Sequence, residues 1–137
     1  MSVVTLMLTS CQKKQTKKTE TVNPFFTEYS TPFQVPPFGQ IKYEHFMPAF
    51  LEGMKQQRDE VYAIINSTEQ PTFANTIEAL EYSGSLLRKV RDVFYNLTSS
   101  NTSDELQRIA REVAPIASKH TDDINLNPQL FGRIKAV

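Results

Sequence analysis

The sequence predicts an all-α fold, in which about four helices form a hairpin or bundle behind an extended arm and a flexible tail. Apolar residues recur at helical spacing from Tyr43 onward. Residue pairs with capping-box spacing stand at the start of two of the apolar runs. Four of the eight prolines fall within residues 23–40, where they disfavour a helix. These observations predict a tail over residues 1–22 and a helical lobe over residues 23–137.

The tail carries the pattern of a bacterial lipoprotein signal. Val3 to Thr9 is a short apolar run, and small residues precede Cys11 as they do in a lipobox, where the cysteine receives lipid. Each buried methylene of an acyl chain contributes about 0.8 kcal/mol to membrane anchoring. The apolar run is short and no basic segment precedes it, so we expect Met1 to lie inside a longer signal peptide. The alternative is an ordinary disordered N-terminus with an incidental cysteine.

Lipidation at Cys11 would place the protein in the periplasm or cell envelope, held to the membrane by its lipid anchor. Residues 12–22 then form a polar tether, with an excess of lysine. Without lipidation, a cytoplasmic location is the alternative.

Residues 23–40 are predicted to form an extended arm across the helices. This region holds four of the nine phenylalanines, which would form a large exposed apolar patch unless they were buried. A proline-recognition motif is the alternative, but Pro32 and Pro36 do not have the P-x-x-P spacing. We therefore expect the phenylalanine side chains to anchor the arm.

The first helix is predicted from Tyr43 to about Asn66. Pro48 is assigned to its first turn, where the missing amide hydrogen costs nothing. The apolar stripe of this helix consists of Met47, Phe50, Leu51, Met54, Val61 and Ile65.

The second helix is predicted to open with Asn75 as N-cap and Glu78 three residues later, and to run to about Thr98. Gly84 falls inside it at a cost of about 1 kcal/mol relative to alanine. A close neighbouring helix at Gly84 would explain that cost. The two edges of its apolar face comprise Leu80, Leu86, Leu87, Val90, Val93, Phe94 and Leu97.

The third helix is predicted to open with Thr102 and Glu105 at capping-box spacing. Pro115 lies in the middle of the pattern, where it removes a backbone hydrogen bond and should kink the helix. Two i,i+4 ion pairs are predicted on its wet side, Asp104–Arg108 and Arg108–Glu112. Its apolar stripe consists of Leu106, Ile109, Ala110, Val113, Ile116, Ala117 and Ile124.

A fourth helix is predicted to begin with Asn127 as N-cap and Pro128 in the first turn. Its apolar residues are Leu130, Phe131 and Ile134. No stop signal precedes Val137, so we expect this element to be interrupted there.

The best candidate cluster for chemistry is His120, Asp122 and Asp123. A metal site usually needs three or four converging ligands, and on one helix positions 120 and 123 share a face whereas 122 points elsewhere. His120 also falls on the apolar stripe, so a packed histidine beside two surface acids is the preferred interpretation. We therefore predict no metal ligand among these residues.

His45 and Glu44 are the other candidate pair, but adjacent residues on a helix do not face each other. Near a helix start, Glu44 is explained by the favourable interaction of an acid with the helix dipole. The chain has no G-x-S-x-G, Walker-type or G-x-G-x-x-G motif. Cys11 lacks a structured environment that would make it a nucleophile. We predict no catalytic residue in this chain.

Composition restricts the partners. The 15 Lys and Arg balance the 15 Asp and Glu, which argues against a nucleic-acid-binding protein. One cysteine excludes an intrachain disulfide framework and a Cys-rich zinc module. Contact with a membrane is expected only through the lipid anchor.

Five segments, in order, resemble the N-terminal part of the thimet oligopeptidase family of zinc metallopeptidases, in its bacterial peptidyl-dipeptidase (dipeptidyl carboxypeptidase) branch. A further short segment, Ala114-Pro115, fits the same series. The five are NPFF at 23–26, TPFQVPPFGQI at 31–41, EHFMPAF at 44–50, PTFANTIEALE at 71–81 and NPQLFGRI at 127–134.

The resemblance implies a much longer, almost wholly helical parent whose two lobes flank a deep channel for short peptides. Its C-terminal lobe would carry H-E-x-x-H and a further glutamate as zinc ligands, and the motif's glutamate would activate the zinc-bound water. None of those residues falls in this chain, so we expect it to bind no zinc and to be inactive alone. Its partners would be short peptide substrates and the missing catalytic lobe.

Two alternatives remain open at this point. One is an oligopeptidase A-like endopeptidase of the same family, from which this lobe is poorly separated. The other is a non-catalytic helical lipoprotein or partner-binding module that is complete at Val137.

Overall fold

The computed structural model describes residues 22–137, and their regular structure is entirely helical. Cys11 and the predicted tether up to residue 21 lie outside the described residues. The all-α prediction is confirmed. The helices are α1 (Tyr43–Ile65), α2 (Ala79–Tyr82), α3 (Ser85–Ser100), α4 (Asp104–Asn125) and α5 (Pro128–Lys135). Among them, no helix combines the length and apolarity needed to cross a membrane.

Helix α1 is the centre of the fold, because α3, α4 and α5 all pack against it. The main core joins α1, α3, α4 and the arm around three rings. Phe94 of α3 lies 5.1 Å from Phe46 and 5.3 Å from Phe50 of α1, centroid to centroid, with its ring edge-on to both. Such edge-to-face pairs contribute about 0.5–1.5 kcal/mol beyond their buried area. A second, smaller core joins α1 and α5 through Val61, Ile64 and Leu130.

The arm is only partly as predicted. It contains no α-helix, as predicted, but it includes two 3₁₀ turns, Pro24–Phe26 and Pro32–Gln34. Phe25 is buried against Phe46 and anchors the arm, as expected. The same prediction is wrong for the other three phenylalanines: Phe26 and Phe38 are about half exposed, and Phe33 is 99% exposed. Phe33 stands outward because it occupies the left-handed region, with φ of 56°.

The bounds of α1 match the prediction, but Pro48 lies in the second turn rather than the first, five residues after Tyr43. The helix therefore forgoes one internal hydrogen bond at this position. Gly53 marks the closest approach of α1 to α3. A Cβ atom built on Gly53 would lie 2.8 Å from the Cα and 2.9 Å from the backbone nitrogen of Leu87.

The predicted second helix is divided into three segments, which corrects the single helix expected from Asn75 to Thr98. A π-helical turn, Phe73–Glu78, leads into α2. Ser83 and Gly84 then interrupt the helix before α3 begins. The N-cap is Thr72 rather than Asn75, and the two residues bond each other reciprocally. Gly84 has φ of 72°, a left-handed conformation that glycine adopts readily.

The predicted close neighbour of Gly84 is present. A Cβ built on this glycine would lie 2.6 Å from Cδ of Gln57 in α1. The backbone N–H of Gly84 also donates a hydrogen bond of 2.7 Å to the Glu60 carboxylate. Gly84 therefore allows the helix to be interrupted, and it also allows the interrupted segment to pack closely against α1.

Helices α4 and α5 follow the predicted pattern with two corrections. The N-cap of α4 is Ser103, whose hydroxyl accepts from the Leu106 N–H, rather than Thr102. Arg108 pairs with Glu105 and Glu112, so the predicted pair with Asp104 is wrong. The α-helix continues through Pro115. Asn127 caps α5 as predicted, since its side chain accepts from the N–H groups of Gln129 and Leu130.

Candidate functional site

His120 lies at the junction of α4 with α1, where it is 5% exposed. Its Nε2 is 2.8 Å from Oε1 of Gln57 on α1. Because an amide oxygen can only accept, His120 carries its proton on Nε2 and donates it to Gln57. The structure thus confirms the predicted packed histidine.

The amide of Gln57 connects His120 to the break between α2 and α3. Nε2 of Gln57 donates to the Ser83 hydroxyl over 3.4 Å, and that hydroxyl donates to the Leu80 carbonyl over 2.7 Å. This donor order requires the oxygen of Gln57 to face His120. A chain of polar contacts therefore joins three helical segments across the core, and it defines the tautomer of the histidine.

Burial lowers the pKa of His120 below its usual value, and the nearby positive charge of Arg58 acts in the same direction. Asp123 opposes the shift. The Nδ1 atom of His120 is buried and has no hydrogen-bond partner among the described residues. Protonation would place a hydrogen without an acceptor there, so the geometry also favours the neutral ring.

A cleft of about 470 Å³ opens beside His120, between α3 and α4 and above α1. Its floor includes Gln57 and apolar side chains of α1, and its walls carry Arg91 from α3 and Asp122 from α4. Asp123 does not line this cleft; it pairs with Lys119 at 2.6 Å and lines a smaller neighbouring cavity of about 270 Å³ that His120 also lines. His120 thus lies between the two acids: it shares the smaller cavity with Asp123, as expected, but it also shares the cleft with Asp122, which was expected to point elsewhere.

His45 and Glu44 also have structural surroundings. The buried ring of His45 accepts the backbone N–H of Lys42 at Nδ1 over 3.0 Å and so caps α1. Its carbonyl accepts from the Asn23 side chain over 2.9 Å, which fastens the arm to α1. Glu44 is exposed and lies 3.9 Å from the Lys42 ammonium. The two residues do not form an acid–base pair.

A larger groove of about 940 Å³ lies between the arm, α1 and α3. Lys89 of α3 spans its edge: its Nζ donates to the carbonyls of Phe25 and Thr27, over 3.2 and 2.6 Å, and lies 3.9 Å from the centre of the Tyr29 ring. Burial lowers the pKa of Lys89, and Glu28 opposes that shift. Lys89 therefore fastens the start of the arm to α3.

Sequence reasoning did not single out Gln57, Ser83, Lys89 or Arg91. Gln57 and Lys89 are polar residues close to apolar stripes, and that position is the one signal that could have indicated a buried polar contact. Among residues 22–137, no three His, Cys, Asp or Glu side chains are placed to hold a metal ion.

The comparisons with known proteins identify the relationship. No protein-family model matches the chain. The dipeptidyl carboxypeptidase of Escherichia coli (strain K12) is 44% identical over 117 residues, which cover 85% of this chain. The dipeptidyl carboxypeptidase of Salmonella typhimurium is 44% identical over 115 residues. The oligopeptidase A of Escherichia coli (strain K12) is 25% identical over 101 residues, or 74% of this chain. The chain belongs to the thimet oligopeptidase family.

The matched region covers 17% of the length of each dipeptidyl carboxypeptidase and 15% of oligopeptidase A. The chain thus spans about a sixth of the relatives it matches.

Proposed function

We propose that this chain is part of a peptidase that removes dipeptides from the free carboxyl terminus of short peptides. One observation carries the proposal: 44% identity to dipeptidyl carboxypeptidases, against 25% to oligopeptidase A. The difference favours the dipeptidyl carboxypeptidase branch over the endopeptidase branch, although both relatives align over most of this chain. A non-catalytic lipoprotein module is the remaining alternative.

Zinc is the cofactor that the family relationship implies, and residues 22–137 do not fit it. They provide no cluster of three candidate ligands. Each of the two histidines already has a structural contact, His45 with the start of α1 and His120 with Gln57. In this proposal residues 22–137 therefore hold no zinc and supply no group to the reaction. In this proposal the lobe braces the enzyme, while a separate catalytic lobe and short peptides are its partners.

The test begins with the coding frame beyond Val137. We expect several hundred further codons that include H-E-x-x-H. A native stop codon at that point, or a long extension without the motif, would contradict the peptidase proposal and support the non-catalytic module.

The encoded full-length protein would then be assayed on a peptide with a blocked amino terminus and a free carboxyl terminus. We expect sequential release of dipeptides, lost after chelation and restored by zinc. Amidation of the carboxyl terminus is the control, because a dipeptidyl carboxypeptidase needs the free terminus. Unchanged cleavage of the amidated peptide would assign the protein to the endopeptidase branch. The 137-residue chain alone is expected to release no dipeptides.

Anchoring through Cys11 is a separate part of the proposal, supported by the lipobox-like sequence before that residue. In a bacterial host, with the native upstream sequence restored, we expect palmitate to label the protein and to hold it in the membrane fraction. Replacement Cys11→Ser should abolish both. Labelling that persists in this variant would refute the anchor.

A further inference from the structure

The cleft beside His120 has walls of opposite charge that do not neutralise each other. Arg91 of α3 and Asp122 of α4 both line the cleft and are both exposed. Neither side chain forms a hydrogen bond or ion pair with another residue in the range 22–137, whereas Arg108 and Lys119 of α4 pair with acids on the same helix. The cleft therefore presents one unpaired cation and one unpaired anion to the same space.

The floor between these charges is neutral and preorganised. Gln57 and His120 satisfy each other through the 2.8 Å contact, and Gln57 is also fixed by Ser83. Apolar side chains of Phe50, Met54, Leu87 and Ile124 also line the cleft, together with polar side chains of α4 such as Ser118 and Thr121. A ligand here would meet a positive side chain, a negative side chain and a neutral surface of apolar and polar groups.

We propose that this cleft binds a small zwitterion of the size of a free dipeptide, with its carboxylate at Arg91 and its ammonium at Asp122. A simple anion would be repelled by Asp122 and a simple cation by Arg91, so a molecule with both charges is the best match. The volume of about 470 Å³ lies within the range of small-ligand sites. An apolar side chain would contact Leu87.

The test uses the 137-residue chain and the dipeptide alanyl-leucine. Isothermal titration gives the affinity, and amide chemical shifts locate the site, with the largest changes expected at Gln57, Leu87 and His120. Three matched probes carry an acetylated amino terminus, an amidated carboxyl terminus, or both. We expect the free dipeptide to bind best and the doubly blocked dipeptide to bind at least about tenfold more weakly.

Two variants assign the charges to their walls. Arg91→Gln should weaken the free and the acetylated dipeptide about tenfold and leave the amidated one unchanged. Asp122→Asn should weaken the free and the amidated dipeptide similarly and leave the acetylated one unchanged. Arg111→Gln is the matched control, because Arg111 is an exposed arginine of α4 outside the cleft. The affinity of this variant for the free dipeptide should stay within about twofold of that of the unsubstituted chain.

All three substitutions are at exposed positions, and an unchanged amide spectrum outside the cleft would show that each variant is folded. Absence of saturable binding up to about 10 mM dipeptide would overturn the proposal. Equal affinity for the doubly blocked dipeptide, or equal loss in all three variants, would overturn it as well. Any of these results leaves the peptidase proposal standing, because that proposal depends on the coding frame and on the full-length enzyme.

Discussion

Gly53 provides the sharpest test of how α1 and α3 are packed. The substitution Gly53→Ala adds one methyl group at the closest approach of the two helices. That methyl would lie 2.8 Å from the Leu87 Cα and 2.9 Å from its backbone nitrogen, well inside normal van der Waals separation. Because the opposing atoms belong to the backbone, no side-chain rotation can relieve the overlap, and α3 must move away from α1.

Two opposing free energies determine the result. Alanine in a helix interior is favoured over glycine by about 1 kcal/mol. Overpacking of a well-filled core costs about 1–3 kcal/mol, and the backbone contact places this site at the upper end. We therefore expect Gly53→Ala to lower the free energy of unfolding by about 1–2 kcal/mol.

Gly132→Ala is the matched control. Gly132 lies in α5, and a Cβ built there meets no atom within 4 Å. This variant gains the same helix propensity without the overlap, so it should be stabilised by up to about 1 kcal/mol. The difference between the two variants then isolates the cost of overpacking.

Urea unfolding of the 137-residue chain, followed by far-ultraviolet circular dichroism, measures both variants. The midpoint should fall for Gly53→Ala and rise for Gly132→Ala, with the slope unchanged. If Gly53→Ala were as stable as the unsubstituted chain, the close approach of α1 and α3 would be wrong.

Three further predictions concern the arm and the buried histidine. Lys89→Met should lower the free energy of unfolding by about 1–2 kcal/mol and speed hydrogen exchange at Phe25, since two carbonyl contacts and the Tyr29 contact are lost. The control Lys55→Met removes an exposed ion pair and should leave the urea midpoint nearly unchanged. Phe25→Ala should cost about 3–5 kcal/mol in urea unfolding whereas Phe33→Ala stays within about 0.5 kcal/mol, and equal costs would contradict the arm's placement. Because folding lowers the pKa of His120, the unfolded chain takes up this proton at a higher pH than the folded chain, so stability should fall as pH drops below 6.5. His120→Gln should flatten that part of the profile of urea midpoint against pH. An unchanged profile would refute the buried neutral ring.

Local signals in the sequence were sufficient for much of the fold. The bounds of α1 and the cap of α5 follow from apolar spacing and from Asn127-Pro128, which act within one or two turns of helix. The prediction of a single second helix was wrong at Gly84. The apolar periodicity continues on both sides of this residue, but its left-handed conformation interrupts the helix. An isolated glycine in a helical pattern does not reveal its φ angle. Whether Gly84 interrupts the helix depends on its contacts with α1, where Glu60 accepts its N–H and the Gln57 side chain lies against it.

The candidate site depends on contacts that no single helix contains. Gln57 and His120 are 63 residues apart, and Gln57 and Ser83 are 26 apart. Periodicity predicted that His120 would be buried, but it could not identify the amide that satisfies the ring or the cleft that opens beside it. The error at Phe33 also arises because the sequence pattern does not give the backbone geometry. A phenylalanine side chain can be buried only if its backbone directs it toward the core. Two consecutive left-handed residues, Phe33 and Gln34, turn it outward instead. Composition therefore predicts how much apolar surface must be accommodated, while the backbone geometry of a few residues decides where each ring lies.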